Sequence, residues 1–240
     1  MDNENVDCGW VKKIWILPDW PAPACVKACI TTRLGGVSPS PFESCNLALY
    51  VGDDRPHVLA NRHSLQKRLQ LPRVQWLTQV HGTRVVEIGG RGGVESDVSV
   101  TADGSTTTCD DVVCAVLTAD CLPVLLCDRQ GTRVAALHAG WRGLAGGVLA
   151  AGVERFTAPV ADLLAYLGPA ISQPCFEVGA EVLEAFLAAA HTPEQSRAIE
   201  AAFAPGTQDP LRYRADLYAL ARAELRALGV TAVYGGDPHN

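Results

Sequence analysis

The chain has 240 residues, of which 48% are hydrophobic and 19% charged. These are ordinary globular values, and they exclude disorder, a collagen-like repeat and a coiled coil. Twenty Lys and Arg stand against 26 Asp and Glu, a net charge of −6, and the absence of any basic run argues against nucleic acid as a partner.

The nine cysteines are irregularly spaced and contain no CxxC pair. The N-terminal MDNENVDCGW opens acidic and polar rather than as a signal peptide, and no apolar stretch reaches the ~20 residues that span a bilayer. The expectation is a cytoplasmic protein with reduced, mostly buried thiols and no membrane partner.

In chain order, residues 26–33 read as a strand closed by the turn Leu34-Gly35-Gly36, with a Pro-rich loop after it. Asp53 or Asp54 can cap a helix over 56–69, with Val58, Arg62, Leu65 and Leu69 on one face and Pro72 as its stop. Residues 74–80 and 83–88 read as strands around His81-Gly82, and 89–93 as a glycine loop that no helix follows, hence no phosphate loop. Residues 112–118, 123–127 and 133–137 are apolar runs of buried-strand type. Residues 142–156 read as a helix despite Gly146 and Gly147, which cost about 1 kcal/mol each relative to Ala and point to close packing on a sheet. A strand over 162–167, helices over 178–190 and 216–228, and a last strand over 230–234 complete the reading. Asp216 caps the last helix and Gly229 stops it. The expected fold class is α+β, a mixed sheet layered with helices in one domain over 1–240.

Of six histidines, His81 and His138 each close an apolar run beside a glycine or an Ala-Gly pair, and Cys121 lies between two strand runs in Thr118-Ala119-Asp120-Cys121. Strand ends are where binding side chains project into loops. Two imidazoles and a thiolate suit Zn²⁺ with an open fourth position, the catalytic arrangement. The spacing is equally compatible with two satisfied core histidines and a buried thiol. Arg33, before the Gly35-Gly36 turn, and Arg142, where a glycine-flanked turn opens a helix, are candidate anion binders. Asn46 is a polar loop neighbour, and Asp120 is placed either to orient an imidazole or to cap a turn.

The segments TTRLGGVS, CNLALYVGDD, QVHGTRVV, TADCLPVLLCD, ALHAGWRGLAGGVL and LGPAISQPCFEVG occur in this order. Together they resemble the bacterial laccase-domain family once called multicopper polyphenol oxidases and now associated with purine nucleoside phosphorolysis and adenosine deamination. The resemblance implies an α+β fold similar to toxin-deamidase domains with a Cys–His site. It implies zinc on His81, Cys121 and His138. It also implies adenosine, inosine, guanosine and methylthioadenosine as substrates, with phosphate as co-substrate. Family members continue into a Cys-Thr and a Phe-Ser-Tyr-Arg-Arg segment beyond the position where this sequence ends at Asn240, so a chain lacking that segment is the expectation. Asp103-Gly104-Ser105-Thr106 also departs from the family's more apolar pattern. A four-copper oxidase needs about ten histidines in His-x-His pairs; this chain has six and no such pair, so a single site, for zinc or one copper, is the most it can hold.

The leading expectation is therefore a zinc-dependent purine nucleoside phosphorylase with adenosine deaminase activity, in which Arg33, Asn46 and Arg142 contact substrate or phosphate. Two rivals use the same sequence. One is a metal-free amide hydrolase with Cys121 as nucleophile, His138 as base and Asp120 as orienter. The other is a non-enzymatic module that binds nucleosides without turning them over.

Overall fold

The computed structural model describes residues 14–71, 73–89, 99–206, 209 and 211–236. It divides into two compact units, Met1–Pro18 with Ala28–Leu71 and Asp19–Lys27 with Pro72–Asn240.

In the smaller unit, β1 (Trp15–Ile16) and β2 (Ile30–Thr31) pair antiparallel, so the strand predicted over 26–33 contracts to two residues. Helix α1 (Arg55–Leu69) starts after Asp54 with Pro56 in its first turn, and Gln70 ends it in the left-handed region at φ 50°. Pro72, the predicted stop, lies outside the described residues. The buried face of α1 is Val58, Asn61 and Arg62, more polar than the predicted stripe. Its hold on the preceding loop is accordingly made of hydrogen bonds. Asn61 Nδ2 donates to Ser38 Oγ (2.9 Å), to the Ser44 carbonyl (3.2 Å) and to the Asn46 carbonyl (2.9 Å), and Arg62 Nε donates to the Leu47 carbonyl (2.8 Å). Buried polar groups are tolerated because they are paired in this way.

The larger unit opens with the short strands β3 (Arg73–Gln75), β4 (Leu77–Thr78), β5 (Val85–Glu87) and β6 (Val100–Thr101). Next come β7 (Gly104–Thr107), β8 (Val112–Cys114), β9 (Leu122–Asp128) and β10 (Val134–Ala139). Helices α2 (Trp141–Ala145) and α3 (Val148–Val153) lead into β11 (Leu163–Leu167). Beyond it lie β12 (Glu177–Gly179), α4 (Ala180–Ala188), α5 (Pro193–Ala201), β13 (Phe203–Pro205) and β14 (Arg212–Ala215). The unit ends with α6 (Leu217–Ala227) and β15 (Ala232–Gly235). Six strands form one mixed sheet in the order β15-β11-β9-β10-β7-β5, and β12, β14 and β13 form a second, three-stranded sheet. Mixed sheets and separate helices make this α+β, as predicted.

The centre of the large sheet is apolar on both faces: Leu122, Val124, Leu137, Leu163 and Leu164 are all fully buried. Helix α6 has the predicted Asp216 cap, whose carboxylate accepts the N–H groups of Tyr218 (2.9 Å) and Ala219 (3.0 Å). The helix predicted over 142–156 is instead two helices, because Gly147 adopts φ +95° between them. Close helix–sheet packing does occur, but at Gly152, where a Cβ would lie 2.5 Å from Leu137 Cδ1. Strand β7 was not foreseen, since Gly-Ser-Thr-Thr carries no apolar pattern, yet all four residues are buried. All eight described cysteines are free thiols, but only Cys127 is fully buried, contrary to the expectation of mostly buried thiols. No helix among the described residues is long and apolar enough to cross a membrane.

Candidate metal centre

Register brings the candidate residues to one end of the large sheet. Strand β10 runs antiparallel to both β9 and β7, pairing Ala139 with Leu122 and Leu137 with Gly104. The end of β10, which carries His138, therefore adjoins the start of β9, just after Cys121, and the start of β7, just after Asp103. Strand β5 runs parallel to β7, with Val85 beside Gly104, so the turn at 81–84 arrives at the same end.

His81, Cys121 and His138 converge there, with their ligand atoms all within 4.8 Å of one another. Cys121 Sγ lies 3.8 Å from His81 Nε2, and the two imidazoles meet edge to face with centroids 4.8 Å apart. Tetrahedral zinc with one sulfur and one nitrogen ligand places those two atoms about 3.5 Å apart, so the Cys121–His81 spacing fits such an ion. Among the described residues, this is the one group of three or more His, Cys, Asp and Glu with metal-holding geometry.

The organiser of the centre is Asp103, which sequence reasoning registered only as a departure from a family pattern. It is fully buried. Its Oδ1 accepts from the His81 N–H (2.8 Å) and pairs with His138 Nδ1 (2.9 Å), while Oδ2 accepts from the Gly82 N–H (2.7 Å). Val80 N–H lies 3.2 and 3.3 Å from the two oxygens. One carboxylate thus holds the backbone of one imidazole and the ring of the other. Its hold on His138 Nδ1 leaves Nε2 of that ring to face a metal, the carboxylate–histidine arrangement of metal sites. It also sustains His81 at φ +60°, a left-handed conformation that costs about 1–3 kcal/mol in a non-glycine residue. Burial, more than any charge, holds the His138 imidazole below its ordinary pKa, with the Asp103 hydrogen bond opposing; a neutral imidazole is the form that ligates.

Asp120, the expected orienter, has no hydrogen bond to His138; that bond is made by Asp103. The Asp120 side chain is exposed, and its backbone carbonyl accepts from Ile171 N–H (2.9 Å), which ties the 168–171 turn to the Cys121 loop. Gln79 ties the other side: Nε2 donates to the Leu117 carbonyl and Oε1 accepts the Leu117 N–H, both at 2.7 Å. Arg142 is exposed in the first turn of α2, with its guanidinium carbon 4.3 Å from the centroid of the Trp141 ring. In the smaller unit, Arg33 Nε donates to the Glu43 carbonyl (2.7 Å), and Nη2 lies 3.5 Å from the Glu43 carboxylate. Asn46 there is committed to its own loop, donating to the Ala48 carbonyl (3.2 Å) and Asp53 Oδ2 (3.0 Å) and accepting from Ala48 N–H (3.0 Å).

A second residue that sequence reasoning passed over is Gly140. Its φ of −62° is ordinary for any residue, so its role is space. A Cβ there would lie 2.9 Å from both Cys121 Sγ and His81 Cδ2 and 3.6 Å from His138 Cε1. A hollow bounded by all three ligand side chains is room for an ion. Gly140→Ala is expected to keep the fold and lower metal affinity at least about tenfold, on the scale of disturbed metal-site neighbours. Competition titration against a chromophoric chelator measures it, and unchanged affinity would show that the hollow is not the ion's seat.

A family model described as multi-copper polyphenol oxidoreductase laccase matches residues 27–238. The chain is 52% identical over 222 residues to a Pseudomonas aeruginosa protein named purine nucleoside phosphorylase PA4543, covering 92% of this chain and 86% of that one. It is 47% identical over 223 residues to the Escherichia coli protein named purine nucleoside phosphorylase YfiH, with the same coverage. The crystal structure of Neisseria meningitidis protein NMB0706 superposes with a TM-score of 0.83 at 48% identity, covering 94% of this chain and 88% of that one. Matched along nearly all of its length by the family model and by close relatives, the chain belongs to the multi-copper polyphenol oxidoreductase laccase family.

Proposed function

We propose that this chain is a zinc-dependent purine nucleoside phosphorylase, acting on adenosine, inosine, guanosine and methylthioadenosine, with adenosine deamination as a second activity. The observation that carries the reading is the convergence of His81, Cys121 and His138 on the hollow at Gly140, in a chain half identical to a relative named purine nucleoside phosphorylase. The donor set suits zinc and leaves a fourth position open; copper on the same donors would be one ion and not a four-copper cluster. The relation to toxin-deamidase domains rests on the family resemblance, and a Cys–His pairing at one end of a mixed sheet is compatible with it.

Zinc held there supplies Lewis acidity toward a substrate oxygen in phosphorolysis, or toward water for attack at purine C6. The remaining work belongs to the chain. Arg142, in the same unit as the metal centre, is the phosphate-binding cation of this reading. Phosphate attacks C1′ as the glycosidic bond breaks, the electron pair of that bond leaving with the purine. Positive charge developing on the ribose is stabilised by the neighbouring phosphate anion. Asp103 keeps the His138 ring and the His81 backbone in place throughout.

The rival hydrolase needs Cys121 as a free thiolate. Burial and then the Asp120 and Asp103 carboxylates push that thiol up from its ordinary value, the wrong direction for an activated nucleophile. A metal that binds the thiolate offsets the same forces.

The test is a product assay with adenosine, with and without phosphate, on protein of known metal content. Ribose 1-phosphate that forms only with phosphate supports the reading; nucleoside binding without turnover at high phosphate defeats it. In the same assay, Arg142→Ala is expected to raise the phosphate requirement by a factor corresponding to about 1.5–3 kcal/mol, the scale of a hydrogen bond to a charged group. Deamination, which uses no phosphate, should be nearly unaffected. Equal loss of both activities would make Arg142 a structural residue.

A further inference from the structure

A second concavity of the larger unit contains none of the residues discussed so far as ligands or anion binders. It is a cavity of about 410 Å³ bounded by the α2–α3 break and by α4, α5 and α6. Leu144, Phe186, Ile199 and Leu220 provide apolar wall, and Glu224, Gln195 and His191 provide polar groups. A hollow of this size, its lining shared between apolar wall and a few converging polar atoms, has the form of a small-molecule site.

The polar groups are fixed in series. The His191 N–H donates to Gln195 Oε1 (2.8 Å), and Gln195 Nε2 donates in turn to Glu224 Oε2 (2.7 Å). Gln195 is only 5% exposed, and its side-chain amide is held at both its oxygen and its nitrogen, so it is fixed in place. Glu224 is therefore a positioned carboxylate, and its second oxygen has no hydrogen-bond partner among the described residues. Among the described residues, no Lys or Arg lines the cavity; Glu154 adds a second acid, and His191 is the one titratable base in the lining. Two carboxylates against one imidazole leave this lining short of positive charge.

We propose that this cavity binds a small organic cation, a primary ammonium on a flat apolar body, with the ammonium on Glu224 and the body against Leu144, Phe186 and Ile199. Burial pushes the Glu224 carboxyl up from its ordinary value, with His191 and the Gln195 hydrogen bond opposing; a bound ammonium restores the charged form. Size favours a ring system with a short amine arm over a metal ion or a bare alkylamine. Because the site shares no ligand with the metal centre, it stands or falls apart from the proposed phosphorylase activity.

The experiment is calorimetric titration of the full chain with tryptamine and with tryptophol, its neutral counterpart. Tryptamine is expected to bind, and tryptophol to bind at least about tenfold more weakly, the scale of a lost charge-assisted hydrogen bond. Glu224→Gln, which keeps shape and can still accept from Gln195, should weaken tryptamine by a similar factor and leave tryptophol unchanged. If that variant does not fold, Ala150→Leu, which fills the cavity from α3, should abolish tryptamine binding instead. No tryptamine binding, equal affinity for both probes, or undiminished binding in whichever variant folds overturns the proposal.

Discussion

Replacing His81 by asparagine is expected to empty the metal centre while leaving the fold in place. His81 is exposed on a turn, so little packing is lost. Its backbone is left-handed, and asparagine is among the few residues that adopt that region readily, so the Asp103 hydrogen bonds to the turn survive. What disappears is the imidazole, one of only three protein donors, and three donors leave no redundancy. Elemental analysis of protein purified without added metal should fall from about one equivalent per chain to under about a tenth. Cys121→Ser should do the same, since serine is a poor zinc ligand, and activity should fall in step with metal. His138→Ala should also lose the metal but is a less clean test, because it opens a buried space and deprives Asp103 of a partner. Wild-type metal content in all three variants would place the site elsewhere.

The parts of this molecule that announce themselves in sequence are those governed by local rules. Helix α6 has a capping Asp, an apolar stripe and a stopping Gly, and its observed bounds, Leu217–Ala227, differ from the predicted span by one residue at each end. Strands β9 and β10 are continuous apolar runs, which mark Cys121 and His138 as candidates at or near strand ends; the ligand set itself comes from the family resemblance. What was not legible depends on tertiary contact. Strand β7 is made of Gly, Ser and Thr, and only the strands on either side of it make it a strand. Residues 142–156 keep a helical pattern across Gly146 and Gly147, but a residue at φ +95° ends a helix whatever the pattern says. Helix α5 is mostly polar and was missed. Its signal was present as Thr192-Pro193-Glu194-Gln195, and the Thr192 side chain does cap it. At the metal centre, Asp103 in Thr-Ala-Asp-Gly reads as an ordinary turn residue, while Asp120 stands beside Cys121 and invites the orienting role. Sequence adjacency favoured Asp120; burial selected Asp103.

That selection makes Asp103→Asn the most severe isosteric change available at the site. Every group that faces the carboxylate is a donor: the N–H groups of Val80, His81 and Gly82, and Nδ1 of His138. An asparagine amide offers one acceptor and one donor in the same space. With its NH₂ toward Gly82, it sets donor against donor at the turn. Flipped, it sets NH₂ against the His81 N–H and His138 Nδ1. The ring can then accept only by moving its own proton to Nε2, which removes the lone pair a metal would use. Neither orientation satisfies the turn and leaves His138 able to ligate. Disrupting a fully buried, charge-assisted network of this kind is expected to cost about 3–5 kcal/mol of stability and 10–100-fold in metal affinity. Urea unfolding and a chelator competition, run on the same preparation, measure the two separately. The NMR chemical shifts of the His138 ring nitrogens provide a readout that general destabilisation would not produce, namely a change of tautomer. If the Asp103→Asn variant keeps the wild-type tautomer and metal affinity, Asp103 stabilises the turn only, and the orientation of His138 must come from its packing in β10.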